Sequence, residues 1–178
     1  MSTVLPSIFC AASPAAILGL LAVLIGASWP LFARREAMLA GQAGGSLLFA
    51  AHFALLGSLT GALTCLVALT QTASAWSLAC RTRRLAVDTA CLVVLGLVAA
   101  ATWHGAASLF AVIGTLLASI GRFESAPSRM RWWFFAGTLS WAGHNALVGS
   151  AAGLASDALT VGTTIVGVWR TARPHAAA

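Results

Sequence analysis

Lysine is absent from this chain, and the acidic residues number four: Glu36, Asp88, Glu124 and Asp157. Charged residues make up 8% of the whole, against about 25% in an ordinary soluble domain. So few charges cannot cover a globule in water, which excludes a free-standing soluble enzyme or binding domain. Missing too are any C-x-x-C pair, any Cys/His cluster at zinc spacing and any H-E-x-x-H. Cys10, Cys65, Cys80 and Cys91 therefore read as small apolar residues in lipid or helix contacts, and nothing in the pattern supports a disulfide from Cys10. No Ser-His-Asp set shares one depth and no Cys nucleophile lies in an electropositive pocket, so an integral-membrane enzyme is the weakest class and no cofactor is expected. Residues Met1–Pro14 hold no Lys or Arg. A secretory signal carries a basic leader, so the first apolar stretch is expected to be a retained span, not a signal cleaved near Ser28 or Ala33.

What is there is apolar: 60% of the residues are hydrophobic. The apolar stretches have the length, about 17–25 residues, that a helix needs to cross a hydrocarbon core. Spans are expected near 14–33, 37–57, 59–79, 85–103, 106–122, 131–149 and 151–169. β-barrel strands would alternate every second residue, and these runs do not. The ten arginines, at 34, 35, 81, 83, 84, 122, 129, 131, 170 and 173, fall on alternate loops and the C-terminal tail of a seven-span chain. Positive residues collect on the cytoplasmic side, which places the N-terminus outside and the C-terminus inside. The net charge of +6 then reflects topology and contact with anionic lipid, not nucleic acid. Trp29, Trp76, Trp103, Trp132, Trp133 and Trp169 fall at or near span ends, where indoles favour the headgroups; Trp141 lies inside span six.

Within this apolar chain lies a duplication. Gly45–Gly61 laid without gaps on Gly137–Gly153, ninety-two residues downstream, matches at nine of seventeen positions, where such a composition would give about one or two by chance. Each copy holds a histidine, His52 or His144, with an aromatic three residues before it and a Gly-x-x-x-Gly starting five residues after it. The offset carries spans one to three onto five to seven and leaves span four single. The fold expected is an all-α integral membrane protein: a first three-helix repeat with its N-terminal tail (1–84), a linker helix (85–104), a second three-helix repeat (105–173) and a short tail (174–178). A span and its copy are four crossings apart and run the same way. Such parallel repeats are related by an axis along the membrane normal and bind cargo between them.

Arg34-Arg35-Glu36, the L-L-F-A-A-H-F-A-L-L-G segment, the W-A-G-H-N-A-L-V-G segment and the closing Val168-Trp169-Arg170 make the chain resemble the bacterial inner-membrane family called YgjV, over roughly 15–170. The resemblance implies a location and an architecture more than an activity. The three-one-three layout is also similar to the SWEET and PQ-loop superfamily of sugar, vitamin and amino-acid carriers, although no Pro-Gln dipeptide stands in span one or five.

Ionisable groups inside a bilayer cost about 2.5–3.5 kcal/mol on insertion scales and normally face a bundle interior. Positions 45, 49, 52 and 56 share one helix face, as do 137, 141, 144 and 148. If both faces meet, they ring a cavity with Phe49, His52, Trp141, His144 and Asn145, and Asp157 follows on the next span, near enough for an Asp–His contact. These six residues form the candidate substrate site; an acid in one half only would suit proton or cation coupling. Two histidines and an aspartate could also bind a metal, though no metal site is assigned. Gln42, Gln71, Thr70, Thr72, Thr160, Thr163 and Thr164 could line a polar path, and Asp88 is expected at the interface beside arginine. Against the site reading stands a structural one, in which buried His and Asn cross-link helices by hydrogen bonds of about 0.6 kcal/mol. The Gly-x-x-x-Gly pairs suit close helix approach at the outer turns more than dimerisation, and a homodimer stays open. The function expected is a small-molecule carrier or facilitator; the alternative is a non-transporting receptor or assembly protein.

Overall fold

Helix starts and stops follow from local chemistry. In the computed structural model, which describes residues 13–172 with side chains through 170, Ser13 Oγ accepts from the Ala16 N–H at 3.2 Å and Pro14 opens α1 (Pro14–Gly26). The first expected span does not continue to 33. It passes into a 3₁₀ turn at Trp29–Leu31, because Pro30 has no N–H to continue an α-helix. Then come α2 (Arg35–Leu55), α3 (Leu59–Ser77), α4 (Arg81–Ala101), α5 (Ala106–Phe123), α6 (Pro127–Val148) and α7 (Ala151–Ala172). The repeated Gly-Ser steps explain themselves here. Gly57 and Gly149 carry φ of 74° and 70°, the left-handed conformation that turns α2 into α3 and α6 into α7 without a Cβ penalty.

Seven helices form where seven spans are expected, and no strand occurs among the described residues. Five of them have both the length and the apolarity to cross a membrane: α1 with its 3₁₀ extension, α2, α4, α5 and α7. The other two, α3 and α6, fall short of the apolarity. In α3 this reflects position: eleven of its nineteen residues are buried in the protein, among them Thr60, Thr64, Gln71, Thr72 and Ser74, so little of it needs to be oily.

The solvent is legible in the inversion of the core. Arg131, His144, Gln71, Thr64, Thr72, Thr115 and Thr164 are among the largest fully buried side chains. The exposed ones include Leu24, Val93, Leu97, Leu159 and Ile165, with Leu97 at 64%. Polar inside and apolar outside is the arrangement lipid demands.

Packing follows the chain around a closed ring, α1 on α2, α2 on α3, α3 on α5, α5 on α6, α6 on α7 and α7 back on α1. Helix α4 stands outside this ring against α3 and α5. Trp76, Trp103, Trp132 and Trp169 are each more than half exposed. Trp29 is a correction: it is 5% exposed and its ring meets Phe134 edge-on at 5.0 Å, because the break after α1 turns it into the bundle.

Candidate functional site

Inside the ring is a cavity of about 140 Å³ lined from every helix except α4. Of the six expected site residues, Phe49, Trp141, Asn145 and Asp157 line it. Gln42 and Thr160 from the expected polar path do so as well. Phe53 completes an aromatic wall, its ring stacked on Phe49 at 5.7 Å and on Trp141 at 5.8 Å. His52 and His144 are not among the lining residues. They back that wall, with ring centroids 5.4 and 5.3 Å from Phe53.

Both histidines are tied into the protein at each ring nitrogen. His52 Nδ1 donates to the Ala15 carbonyl at 2.8 Å, and Nε2 meets Ser150 Oγ at 2.9 Å. His144 Nδ1 donates to the Ala107 carbonyl at 2.9 Å, and Nε2 meets Ser58 Oγ at 3.4 Å. A carbonyl can only accept, so Nδ1 carries a hydrogen, and in the neutral ring Nε2 is then the acceptor for the serine hydroxyl. Every residue of the first set stands ninety-two positions from its counterpart in the second. Room for this comes from glycine: a Cβ on Gly61 would sit 2.8 Å from His144 Nε2, and one on Gly19 would sit 3.0 Å from the His52 ring. With both His144 nitrogens engaged, the expected Asp–His contact is replaced by another. Asn145 Nδ2 donates to Asp157 Oδ2 at 2.7 Å, leaving Asn145 Oδ1 without a protein partner among the described residues.

The opposite end of the bundle is held by arginines. Arg35 of α2 donates to the carbonyls of Glu124 (3.0 Å) and Arg122 (2.7 Å) at the end of α5. Arg131 of α6 donates to the carbonyls of Pro30 (3.1 Å) and Phe32 (3.0 Å) beyond α1. Those two pairs of carbonyls are again ninety-two residues apart. Arg122 itself is 4% exposed and lines the cavity, with Nε on Thr72 Oγ1 at 2.8 Å and Nη1 on Gln71 Oε1 at 3.0 Å. Asp88, expected at the interface, is buried on α4 within electrostatic reach of Arg122 and Arg84, though no ion pair within 4 Å joins it among the described residues.

Sequence reasoning counted Arg122 and Arg131 as loop charges and missed both. A signal existed for Arg122: Ser108, Ala111, Thr115, Ala118 and Arg122 are buried at intervals of three and four, so the arginine continues the inward stripe of α5. Among the described residues no three of His, Cys, Asp or Glu converge as metal ligands would. Cys80, fully exposed ahead of α4, has a thiol held below its ordinary pKa by hydrogen bonds from the backbone N–H groups of Arg83 and then Thr82. The Cys10 reading, Arg173 and His175 lie outside the described residues.

The exposed apolar side chains and the five long apolar helices are features of a membrane protein. Neither a curated protein nor a solved structure matches the chain. A family model described as a bacterial inner membrane protein, Imp-YgjV, matches residues 14–175. On that match over most of its length, the chain belongs to the Imp-YgjV family of bacterial inner membrane proteins.

Proposed function

We propose that this protein is a small-molecule carrier or facilitator, built as two parallel three-helix repeats, α1–α3 and α5–α7, that rock about the shared cavity, with α4 as the linker between them. The observation that carries the reading is the matched cross-links at both ends of that cavity. At one end each histidine reaches the serine of the other repeat; at the other each arginine reaches backbone carbonyls of the other repeat. A carrier needs such a pair of gates, one to open outward and one to open inward, around a fixed site. The gates differ in strength. Two neutral hydrogen bonds in a membrane bundle are worth about 1–2 kcal/mol together, whereas bonds from charged donors are worth about 1.5–3 kcal/mol each. Outward opening is therefore the easier motion.

All seven helices cross the bilayer in this reading, including α3 and α6, with the N-terminus periplasmic and the C-terminus cytoplasmic. Alternation of the arginines supports that direction. No catalytic step is assigned to the chain. A receptor or assembly role is the second reading, favoured by one observation: both histidines spend all their nitrogens on the protein itself. Comparison of metabolite uptake in cells with and without the gene separates the two. Under the carrier reading at least one small metabolite changes its uptake rate, and Asp157→Asn removes the change while leaving the protein folded. Identical uptake profiles across the metabolites measured would refute it.

A further inference from the structure

We infer that the cavity takes a small organic monocarboxylate, gripped at its cytoplasmic end by Arg122 and Gln42; this rests on reading the cavity as a ligand site. Arg122 lies sixteen residues along α5 from Ala106 and Asp157 six along α7 from Ala151. At 1.5 Å per residue their backbones stand about 24 and 9 Å from the periplasmic helix ends, so the guanidinium and the carboxyl mark opposite ends of the cavity. Thr72 and Gln71 pin the guanidinium through Nε and Nη1, and Phe134 lies under it at 5.4 Å. Among the described residues Nη2 donates to no protein group and no carboxylate stands within 4 Å, Asp88 of α4 acting on the guanidinium only from farther off. A guanidinium held this way keeps Nη2 as a fixed charged donor for a carboxylate oxygen.

Gln42 supplies the second hand. It lines the cavity, it is 6% exposed, and neither its Oε1 nor its Nε2 has a partner among the described residues. Turning its amide toward a bound oxygen therefore breaks no hydrogen bond. Aromatic rings, Trp29, Phe49 and Trp141, suit an apolar tail. The volume of about 140 Å³ is close to the 150 Å³ that holds benzene, so the ligand has about six non-hydrogen atoms. Asp157 at the far end disfavours a second carboxylate and so selects mono- over dicarboxylates.

The test uses the purified full chain in detergent, reading ligand-dependent changes in its intrinsic tryptophan fluorescence, with Trp29 and Trp141 the indoles at the cavity. Butyrate and lactate are titrated against butanamide and pentylamine, all of about six non-hydrogen atoms. The carboxylates should saturate at concentrations at least about tenfold below the neutral and cationic probes. Gln42→Leu should weaken them by a similar factor with its melting temperature unchanged or raised, since the amide has no bond to lose. Arg122→Gln should weaken them at least about tenfold, and Gln42→Leu keeps the test sound if that variant fails to fold. Equal affinity for all four probes, preference for the amine, or unchanged carboxylate binding in Gln42→Leu would overturn the inference. Butyrate binding with no flux through reconstituted vesicles removes the carrier and leaves this site. Gene-dependent uptake of a carboxylate-free metabolite, with no butyrate binding, does the reverse.

Discussion

The two histidine cross-links are equivalent in sequence but not in geometry, and that difference is measurable. His52 Nε2 lies 2.9 Å from Ser150 Oγ, well within hydrogen-bond range, whereas His144 Nε2 lies 3.4 Å from Ser58 Oγ, at its outer limit. Interhelical hydrogen bonds in membrane bundles average about 0.6 kcal/mol and reach about 1.7. The short contact should sit near 1 kcal/mol and the long one below about 0.3. A double-mutant cycle isolates each term, using His52→Ala with Ser150→Ala and His144→Ala with Ser58→Ala. The bonds to Ala15 and Ala107 are lost in both the single and the double variants and cancel. So does a second role of Ser150, whose Oγ also accepts from the Gly153 N–H at 3.0 Å and caps α7. In the single variants that cap adds about 1 kcal/mol, so Ser150→Ala should cost about 2 kcal/mol and Ser58→Ala less than about 0.5. Reversible unfolding in mixed micelles with a graded denaturing detergent reads these values. A coupling of 1 kcal/mol is about fivefold in the unfolding constant. Equal couplings, or a larger one for His144 and Ser58, would refute the geometric argument.

Other outcomes follow from single sites. Gly61→Ala forces a Cβ to within 2.8 Å of His144 Nε2 and should cost about 1–3 kcal/mol. Gly96→Ala, in open space within α4, should be neutral or stabilising by up to about 1 kcal/mol; both are read as melting temperatures. Arg131→Met leaves the Pro30 and Phe32 carbonyls unpaired and should cost about 2–4 kcal/mol. Arg131→Lys should recover less than half of that loss, because one ammonium cannot span both acceptors. Cys80 should react with a membrane-impermeant maleimide in inverted vesicles and not in intact cells, tested in a Cys10→Ser background. Its thiol is held below the ordinary cysteine value, so the alkylation rate should reach half its maximum at a lower pH than for a free cysteine, because the thiolate reacts. Labelling in intact cells alone would reverse the proposed orientation.

The solvent was decided by composition: a chain with 8% charge cannot cover itself with water-seeking groups, whatever its fold. Helix number and most boundaries were legible in the apolar runs, and the inward faces of α2 and α6 in the spacing of Phe49 and Trp141, which line the cavity as expected. The duplication was legible too, down to the glycines that take positive φ at Gly57 and Gly149. What periodicity cannot carry is the identity of the helix that a face meets. It tells which residues share a side, but the bond from His52 to Ser150 joins groups ninety-eight residues apart. Only the ring of packed helices could decide that the histidines back the aromatic wall, that Asn145 takes Asp157, and that Trp29 turns inward. Burial of Arg122 and Arg131 belongs to the same class. A charge near a helix end reads as a loop residue along the chain. Whether it points to headgroups or into the bundle depends on acceptors, Gln71, Thr72 and the Pro30 and Phe32 carbonyls, that other helices bring to it.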